Sequence, residues 1–229
     1  MIFAPKSPRK VDPDAARDIV SVVRKYGERT SQVSLTDELK SLKQKDLSPE
    51  LWFTQTAAML SKTTLRRPLV VGVFQDQSVE DINRVVEECG LDLVQLHGEE
   101  SVDHINGIRA PCIKVVHVPR EESEKESLLA SIRGRISAFS GHAVAIILDT
   151  SVRGDRSGGT GVTFDWKLAE NLDLPVILAG GLAPSNVADA LRVRGVVGLD
   201  VSSGVEVAGQ PGVKDHGLVQ AFIVKTKAG

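Results

Sequence analysis

The 229-residue sequence has few cysteines and no excess of basic residues. Each of these shortages excludes a class of protein before any motif is considered. Only two cysteines occur, Cys89 and Cys112, and their separation fits neither a metal-ligand motif nor a paired disulfide framework. Lysine and arginine number 28 against 30 acidic residues, and no basic block occurs. The charge footprint of a nucleic-acid-binding protein is therefore missing, and the cysteine usage favours a reducing compartment.

Long apolar runs are also absent. No run approaches the roughly 20 residues that span a bilayer, and the N-terminus lacks the charged-then-apolar pattern of a signal peptide. We therefore expect a cytoplasmic protein with no nucleic-acid or membrane partner. The length suits one large core, as in single-domain α/β barrels.

Three short apolar runs stand out in the last third of the chain: AVAIILD at 143–149, LPVILAGG at 174–181 and VVGLDVSSG at 196–204. Runs without alternation predict strands that are buried on both faces, as in parallel sheets covered by helices. The chemistry of such sheets lies where the strands end.

Strands are predicted to alternate with helices along most of the chain. Further strands are predicted at 69–74, 93–97 and 112–117, and helices at 13–25, 78–89, from Ser101, and at 121–139, 165–171, 184–194 and 213–227. This repeat demands a parallel sheet with right-handed crossovers, either a (β/α)8 barrel or an open doubly wound sheet. The lack of a G-x-G-x-x-G motif after the first strand, and the late glycine-rich turns, favour the barrel.

The count of strands is one short. If the run at 1–5 is counted as a strand, about seven are found, which predicts a TIM (β/α)8-type barrel without its first β-α unit. The open seam would expose strand edges near Met1 and at 196–201. Exposed edges invite association, so we expect distorted closure or self-association across the seam.

Residues 31–67 are polar and helix-prone, and they predict a helical surface insertion in a chain that otherwise forms one domain over residues 1–229. Trp52, Phe53 and Met59 have helical spacing within it. They could form a partner-binding face, but packing against neighbouring helices is the interpretation that we favour.

Glycine-rich turns follow two successive predicted strands. Gly180 and Gly181 end one strand, and Ser202, Ser203 and Gly204 follow the next. Glycine lets backbone N–H groups approach a phosphate, and a helix N-terminus adds a favourable dipole. Tight turns are the alternative explanation, but two adjacent loops in a barrel favour a phosphate site. The helix after Pro184 fits the dipole role.

A third glycine-rich segment, at 153–161, contains Gly158, Gly159 and Gly161. It is not a Walker A loop, because no Lys-Ser/Thr pair follows its last glycine. We interpret it as a lid that excludes water when it closes.

Acidic residues end two of the apolar runs. Asp149 would be costly there unless it is paired or functional, and apolar surroundings suit a carboxyl group that acts as a general acid near neutrality. Capping the following loop is the alternative for Asp149 and equally for Asp200.

His97 is a candidate for binding substrate or orienting a carboxylate. Cys89 and Cys112 are expected to be inert, since they lie at a helix end and a strand start.

Five groups of residues, in this order and spacing, together resemble phosphoribosylanthranilate isomerase of tryptophan biosynthesis. They are QLHGE at 95–99, LDT at 148–150, GGTG at 158–161 with FDW at 164–166, AGGL at 179–182 with Pro184, Asn186 and Val187, and DVSSGVE at 200–206 with Lys214 and Asp215. The likeness covers the chain outside 31–67. The insertion resembles fungal members, in which this domain is often the C-terminal part of a multifunctional protein.

The resemblance implies a (β/α)8 barrel that converts N-(5-phosphoribosyl)anthranilate to 1-(2-carboxyphenylamino)-1-deoxyribulose 5-phosphate by an Amadori rearrangement, without metal or cofactor. Asp149 matches the family's general acid, which protonates the furanose oxygen so that the ring opens to a Schiff base. Arg9 matches the arginine that holds the anthranilate carboxylate. The two glycine loops match the phosphate site, and fusion to or association with other tryptophan-pathway domains is implied.

One part of the family pattern has no match. The family's general base is a cysteine in a Lys-x-Cys-Gly-type motif at the end of the first strand, and this sequence begins after the point where that motif is expected. Neither Cys89 nor Cys112 aligns with it, so no general base is assigned. Three hypotheses follow: an isomerase, a non-catalytic phosphate-binding or scaffold barrel, and a metal-dependent sugar-phosphate epimerase with His97, His117 and Asp149 as ligands.

Overall fold

The computed structural model describes residues 1–27, 35–119, 125–151 and 165–228. They belong to two compact units, Met1–Lys114 with Ser137–Ala145, and Val115–Ile136 with Ile146–Gly229. Six strands form one sheet in sequence order, and the registered pairs of neighbouring strands are parallel. The parallel α/β architecture predicted from the strand and helix alternation is confirmed.

The elements in chain order are α1 (Pro13–Val23), α2 (Leu35–Lys43), α3 (Pro49–Thr64), β1 (Val71–Phe74), α4 (Val79–Cys89), β2 (Leu93–Leu96), α5 (Val102–Gly107), β3 (Cys112–Pro119), α6 (Lys125–Ala138), β4 (Ala143–Ser151), β5 (Val176–Leu178), α7 (Val187–Leu191), β6 (Val196–Leu199) and α8 (His216–Ala228). Short 3-10 helices span Trp166–Asn171 and Ser203–Val205. No helix in the described ranges combines the length and the apolar character that crossing a bilayer requires.

Local capping explains where the helices of the first unit begin. Asp12 accepts a hydrogen bond from the Ala15 N–H at 2.8 Å, with proline at the first helical position. Ser78 caps α4 through the Asp81 N–H at 3.1 Å. Gly90 ends that helix in the left-handed conformation, at φ 67°.

The short N-terminal run pairs with β1. The Phe3 N–H donates to the Val73 carbonyl at 2.8 Å, and the Val73 N–H donates to the Met1 carbonyl at 2.7 Å. These bonds form a parallel bridge between Ile2 and Val73. The described residues therefore contain six of the seven predicted strands, and the N-terminal run forms only an isolated bridge to β1.

Helix α3 buries the aromatic side chains of the 31–67 segment. Trp52 and Phe53 are 2% and 1% exposed, and Met59 is also buried. The Trp52 indole N–H donates to the Ala143 carbonyl at 2.7 Å within the same unit. These side chains pack inside the unit, as the favoured interpretation predicts, and do not form an exposed partner face.

Three helices of the second unit differ from their predicted limits. The helix predicted at 184–194 is only α7, because residues on both sides of it form i to i+3 turns and Gly195 adopts φ 85°. The helix predicted at 165–171 is a 3-10 helix. Helix α8 starts at His216 because Lys214 forms a bridge with Glu206 instead of a helical turn.

Strand β6 forms the edge of the described sheet. Among the described strands it neighbours only β5, and the Val197 side chain is 57% exposed. Within the described part of the chain, the edge predicted at 196–201 is therefore present over Val196–Leu199.

Candidate active site

Asp149 lies near the carboxyl end of β4, one residue after the pair that Leu148 forms with Leu178 of β5. The residue is only 7% exposed. Its Oδ1 accepts the Thr150 N–H at 2.8 Å, so the carboxylate turns back towards its own strand. This backbone donor fixes one orientation of the buried carboxylate and is also the contact that the loop-capping alternative expects.

The Gly180 loop approaches this carboxylate closely. Gly180 has φ 80°, and a Cβ at this position would lie 2.6 Å from both Asp149 Oδ1 and Thr150 Oγ1. Glycine is required here for the backbone conformation and for the space.

The Thr150 hydroxyl is a candidate that sequence reasoning missed. Thr150 is 8% exposed, and its Oγ1 has no hydrogen-bond partner among the described residues. A buried hydroxyl without a partner is unfavourable unless a ligand or water satisfies it. The sequence places this threonine in the LDT motif at 148–150, but a threonine after an apolar run does not by itself indicate a site residue.

The two predicted phosphate loops lie against each other. A Cβ at Gly204 would clash with the Leu182 carbonyl, so the 202–204 turn rests directly on the chain after Gly181. Asn186 closes the first loop, because its side chain accepts the Ala183 N–H at 2.8 Å and donates to the Gly181 carbonyl at 2.9 Å.

The predicted dipole contribution after Pro184 needs correction. Helix α7 has five residues, and the Asn186 side chain makes no helix-capping bond because the loop uses it. A helix this short has too few aligned peptide groups for a strong dipole. Near the second loop, the Lys214 Nζ donates to the Ser202 carbonyl at 2.9 Å and forms an ion pair with Glu206 at 2.8 Å.

Asp200 follows β6 at the level of Asp149. The pairs of Leu148 with Leu178 and of Leu178 with Leu199 put both carboxylates one residue beyond the same row of the sheet. The Asp200 N–H donates to the Leu178 carbonyl at 2.8 Å, and the residue is partly buried. The structure therefore brings the two acidic candidates to one edge of the second unit.

The first unit holds the remaining described candidates. His97 directly follows β2, is partly exposed, and donates its backbone N–H to the Phe74 carbonyl at 2.9 Å. Arg9 lies in the turn between the N-terminal run and α1, where its N–H donates to Ser7 Oγ at 3.2 Å. The predicted lid residues Gly158, Gly159 and Gly161 lie outside the described residues.

A buried ion pair in the first unit was not predicted. Lys114 on β3 and Glu100 after β2 are 3% and 5% exposed, and Lys114 Nζ lies 2.9 Å from Glu100 Oε2. Glu100 is adjacent to the 95–99 motif, but nothing in the sequence connects it with Lys114.

Neither cysteine has the environment of a nucleophile or base. Burial raises the pKa of the Cys112 thiol to about 12. Burial also raises the pKa of Cys89, whose Sγ lies 3.8 Å from the Pro13 carbonyl. Both thiols remain protonated near neutrality, which agrees with the expectation that they are inert.

The ligand set of the epimerase hypothesis does not form a cluster among the described side chains. In those parts of the chain, no three His, Cys, Asp or Glu residues are grouped as a metal site would require. His117, one of the proposed ligands, is 9% exposed on β3, and its carbonyl accepts the Arg135 guanidinium at 3.1 Å.

The family model described as "N-(5'phosphoribosyl)anthranilate (PRA) isomerase" matches residues 27–225. A tryptophan biosynthesis protein of Phytophthora nicotianae is 44% identical over 234 residues, which cover 99% of this chain and 42% of that protein. A multifunctional tryptophan biosynthesis protein of Phycomyces blakesleeanus is 38% identical, covering 100% of this chain and 29% of its own length. The chain thus spans less than half of these two relatives.

A relative of similar length also matches. The N-(5'-phosphoribosyl)anthranilate isomerase of Wickerhamomyces anomalus is 34% identical over 229 residues, which cover 97% of this chain and 87% of that protein.

Solved structures agree with these relatives. The phosphoribosyl anthranilate isomerase of Thermotoga maritima is 30% identical with a TM-score of 0.64, covering 100% of this chain and 86% of that one. A structure of the isomerase in complex with reduced 1-(o-carboxyphenylamino)-1-deoxyribulose 5-phosphate is 27% identical with a TM-score of 0.63, and the coverage is again 100% and 86%. The barrel class predicted from the sequence is confirmed by these neighbours.

Proposed function

Because the chain belongs to the N-(5'-phosphoribosyl)anthranilate isomerase family, we propose that it catalyses the Amadori rearrangement of N-(5-phosphoribosyl)anthranilate in tryptophan biosynthesis. The observation that carries this proposal is the buried Asp149 carboxyl group beside Gly180, at the edge where two glycine loops meet. A buried acid next to an anion-binding loop suits the opening of a phosphorylated sugar ring.

Asp149 acts first, as the general acid. It donates a proton to the furanose ring oxygen, the bond from C1 to that oxygen breaks, and the electron pair of the anthranilate nitrogen forms the C1=N bond of a Schiff base. The Thr150 N–H holds Oδ1 at 2.8 Å, which keeps the carboxyl group in one orientation during the transfer.

The second step removes the proton from C2. The electron pair of the broken C–H bond forms a C1=C2 double bond, the C1=N pair returns to nitrogen, and ketonisation with protonation of C1 gives the product. Two raised thiol pKa values argue against Cys89 and Cys112 as the base. The proton goes either to a carboxylate at this edge, Asp149 or Asp200, or to a group in a longer polypeptide.

The remaining candidates bind the substrate. The Arg9 guanidinium pairs with the anthranilate carboxylate in a two-point contact. The backbone of the Gly180, Gly181 and 202–204 turns holds the phosphate, as adjacent loops at barrel strand ends commonly do. His97 and Asp200 contact the sugar, and the Thr150 hydroxyl meets a substrate oxygen.

Turnover of freshly generated phosphoribosylanthranilate, followed by the loss of its fluorescence, tests this function. Asp149→Asn is expected to lower kcat by about 100 to 10,000-fold. It should still bind the reduced product analogue, since the phosphate loops are intact. Asp173→Asn is the control, because Asp173 is exposed and asparagine tolerates its φ of 54°. Equal activities of both variants would exclude Asp149 as the acid.

The same assay distinguishes the sources of the base. We compare this chain with a longer version in which a strand and helix precede Met1. Activity in both places the base within the 229 residues, whereas activity in the longer version alone places it outside them. Binding of the reduced analogue without turnover in either version would favour the scaffold hypothesis over the enzyme.

Location and partners belong to the same proposal. A cytoplasmic protein is supported by the two free thiols, which persist in a reducing compartment. Fusion to, or association with, other tryptophan-pathway domains is supported by the name of the Phycomyces blakesleeanus relative, a multifunctional tryptophan biosynthesis protein. The exposed β6 edge supports self-association, which sedimentation equilibrium would detect.

A further inference from the structure

Lys114 and Glu100 form the buried ion pair of the first unit, with side chains only 4% and 1% exposed. Removing two charges from water is expensive, and apolar side chains of similar volume often stabilise a core as well or better. Stability alone is therefore a weak reason for this pair. The groups that it binds suggest another one.

Lys114 forms hydrogen bonds to the backbone on both sides of His97. Its Nζ donates to the Leu96 carbonyl at 3.3 Å and to the Gly98 carbonyl at 2.5 Å. The third bond goes to Glu100 Oε2, so all three ammonium N–H groups are used. The carbonyl groups of both residues that flank His97 are therefore bonded to the same ammonium group.

Glu100 connects the turn that follows β2 to the turn that follows β1. Its Oε1 accepts the Gly98 N–H at 3.2 Å and the Asp76 N–H at 2.9 Å. Asp76 in turn accepts the Glu99 N–H at 2.8 Å, and it packs so closely that no Cβ fits at Gly98. The turns after β1 and β2 are thereby locked together around one histidine.

At the opposite, N-terminal ends of β1 and β2, the connection consists of fewer contacts, which are made by one carboxylate. Asp92, which precedes β2, accepts the Val70 N–H at 2.8 Å and lies 3.4 Å from Arg67. The Arg67 side chain is 22% exposed, so this pair retains contact with solvent. Complete burial of both charges occurs only at the end where His97 lies.

We propose that Lys114 and Glu100 are positioning residues that fix the His97 backbone and thereby aim its imidazole at the substrate. The inference rests on the proposed function, in which His97 contacts the sugar. A displacement of about 1 Å at such a contact can lower a rate by on the order of 100-fold.

A double-mutant cycle separates positioning from simple stabilisation. Lys114→Met and His97→Asn are each expected to lower kcat/KM at least ~10-fold. The double variant should be no slower than His97→Asn alone, because Lys114 acts through His97. Losses that multiply in the double variant would overturn the proposal. Asp92→Asn is the matched control, with a lower Tm and unchanged kcat/KM.

A second readout does not require turnover. In NMR spectra of the whole chain, the His97 ring resonances should shift or broaden in Glu100→Gln, which retains the shape of the side chain. They should stay unchanged in Asp92→Asn. Unchanged His97 resonances in Glu100→Gln would overturn the positioning role even if the protein lacks isomerase activity, whereas shifted resonances in an inactive protein would contradict only the proposed function.

Discussion

A Cβ at position 180 would lie 2.6 Å from Asp149 Oδ1, so Asp149 can keep its observed position only if residue 180 is glycine. Any side chain at position 180 must displace either the carboxylate or the loop. We expect Gly180→Ala to lower kcat by about 100-fold or more, because such a displacement misaligns the proton donor. Steady-state turnover measures this effect.

Gly209 provides the matched control for that substitution. Its φ is 74°, close to that of Gly180, but no heavy atom lies within 4 Å of a Cβ built there. Gly209→Ala should therefore lose about 1 kcal/mol of unfolding free energy from backbone strain, with kcat unchanged. Similar kcat values for the two alanine variants would show that the close approach to Asp149 is irrelevant.

Trp52→Phe tests the structural role of α3. The change removes the indole donor and leaves the buried Ala143 carbonyl without its side-chain partner. We expect a loss of about 1 to 3 kcal/mol in the free energy of unfolding, measured by urea denaturation, and no change in kcat. Leu51→Ala, at an exposed neighbour, should change stability by less than about 0.5 kcal/mol. If Trp52→Phe were as stable as the wild type, the structural role of the Trp52 hydrogen bond would be contradicted.

The cysteines should resist alkylation in the folded protein. Both are buried, and the pKa of Cys112 is raised to about 12, so almost no thiolate exists at pH 8. We expect iodoacetamide to modify neither thiol under native conditions and both in urea, as counted by mass spectrometry. Rapid native modification with loss of turnover would restore a cysteine to the list of candidate bases.

Acid should unfold the protein partly through Glu100. Burial alone raises the pKa of this carboxyl group, but Lys114 and the Asp76 N–H outweigh burial, and the net pKa is lowered. A lowered folded pKa contributes stability above the unfolded value of about 4.3, and this stability is lost as the pH falls towards the folded pKa.

The measurement is urea denaturation between about pH 6 and pH 3. The free energy of unfolding of the wild type should decline more steeply below about pH 4.3 than that of Glu100→Gln, which cannot titrate at this position. Parallel curves would contradict an ionised Glu100 in the folded state.

Most of the fold follows from local sequence signals. Ser78 and Gly90 bracket α4 because capping groups act within one turn of the helix end. The limits of α7 could not be predicted in the same way. Asn186 has the chemistry of a cap, but its amide bonds to the Gly181 carbonyl, a contact that exists only once the loop has folded.

The candidate site divides along the same line. Asp149 was predictable because a carboxylate after an apolar run stands out at a strand end. The ion pair was not, because Lys114 meets Glu100 through the register that sets Leu96 opposite Lys114. Register depends on the whole sheet, and the sequence CIKVVH shows only a lysine within a strand.

The contact of Gly204 with the Leu182 carbonyl has a consequence for chimeric proteins. Because the two turns are in direct contact, replacing only one of them with the corresponding segment of a homologue would disturb the packing between them. Residues 180–186 and 202–206 therefore constitute a single cassette. Recombination that moves both segments should preserve ligand binding, whereas a crossover between them brings together surfaces that were never fitted to each other.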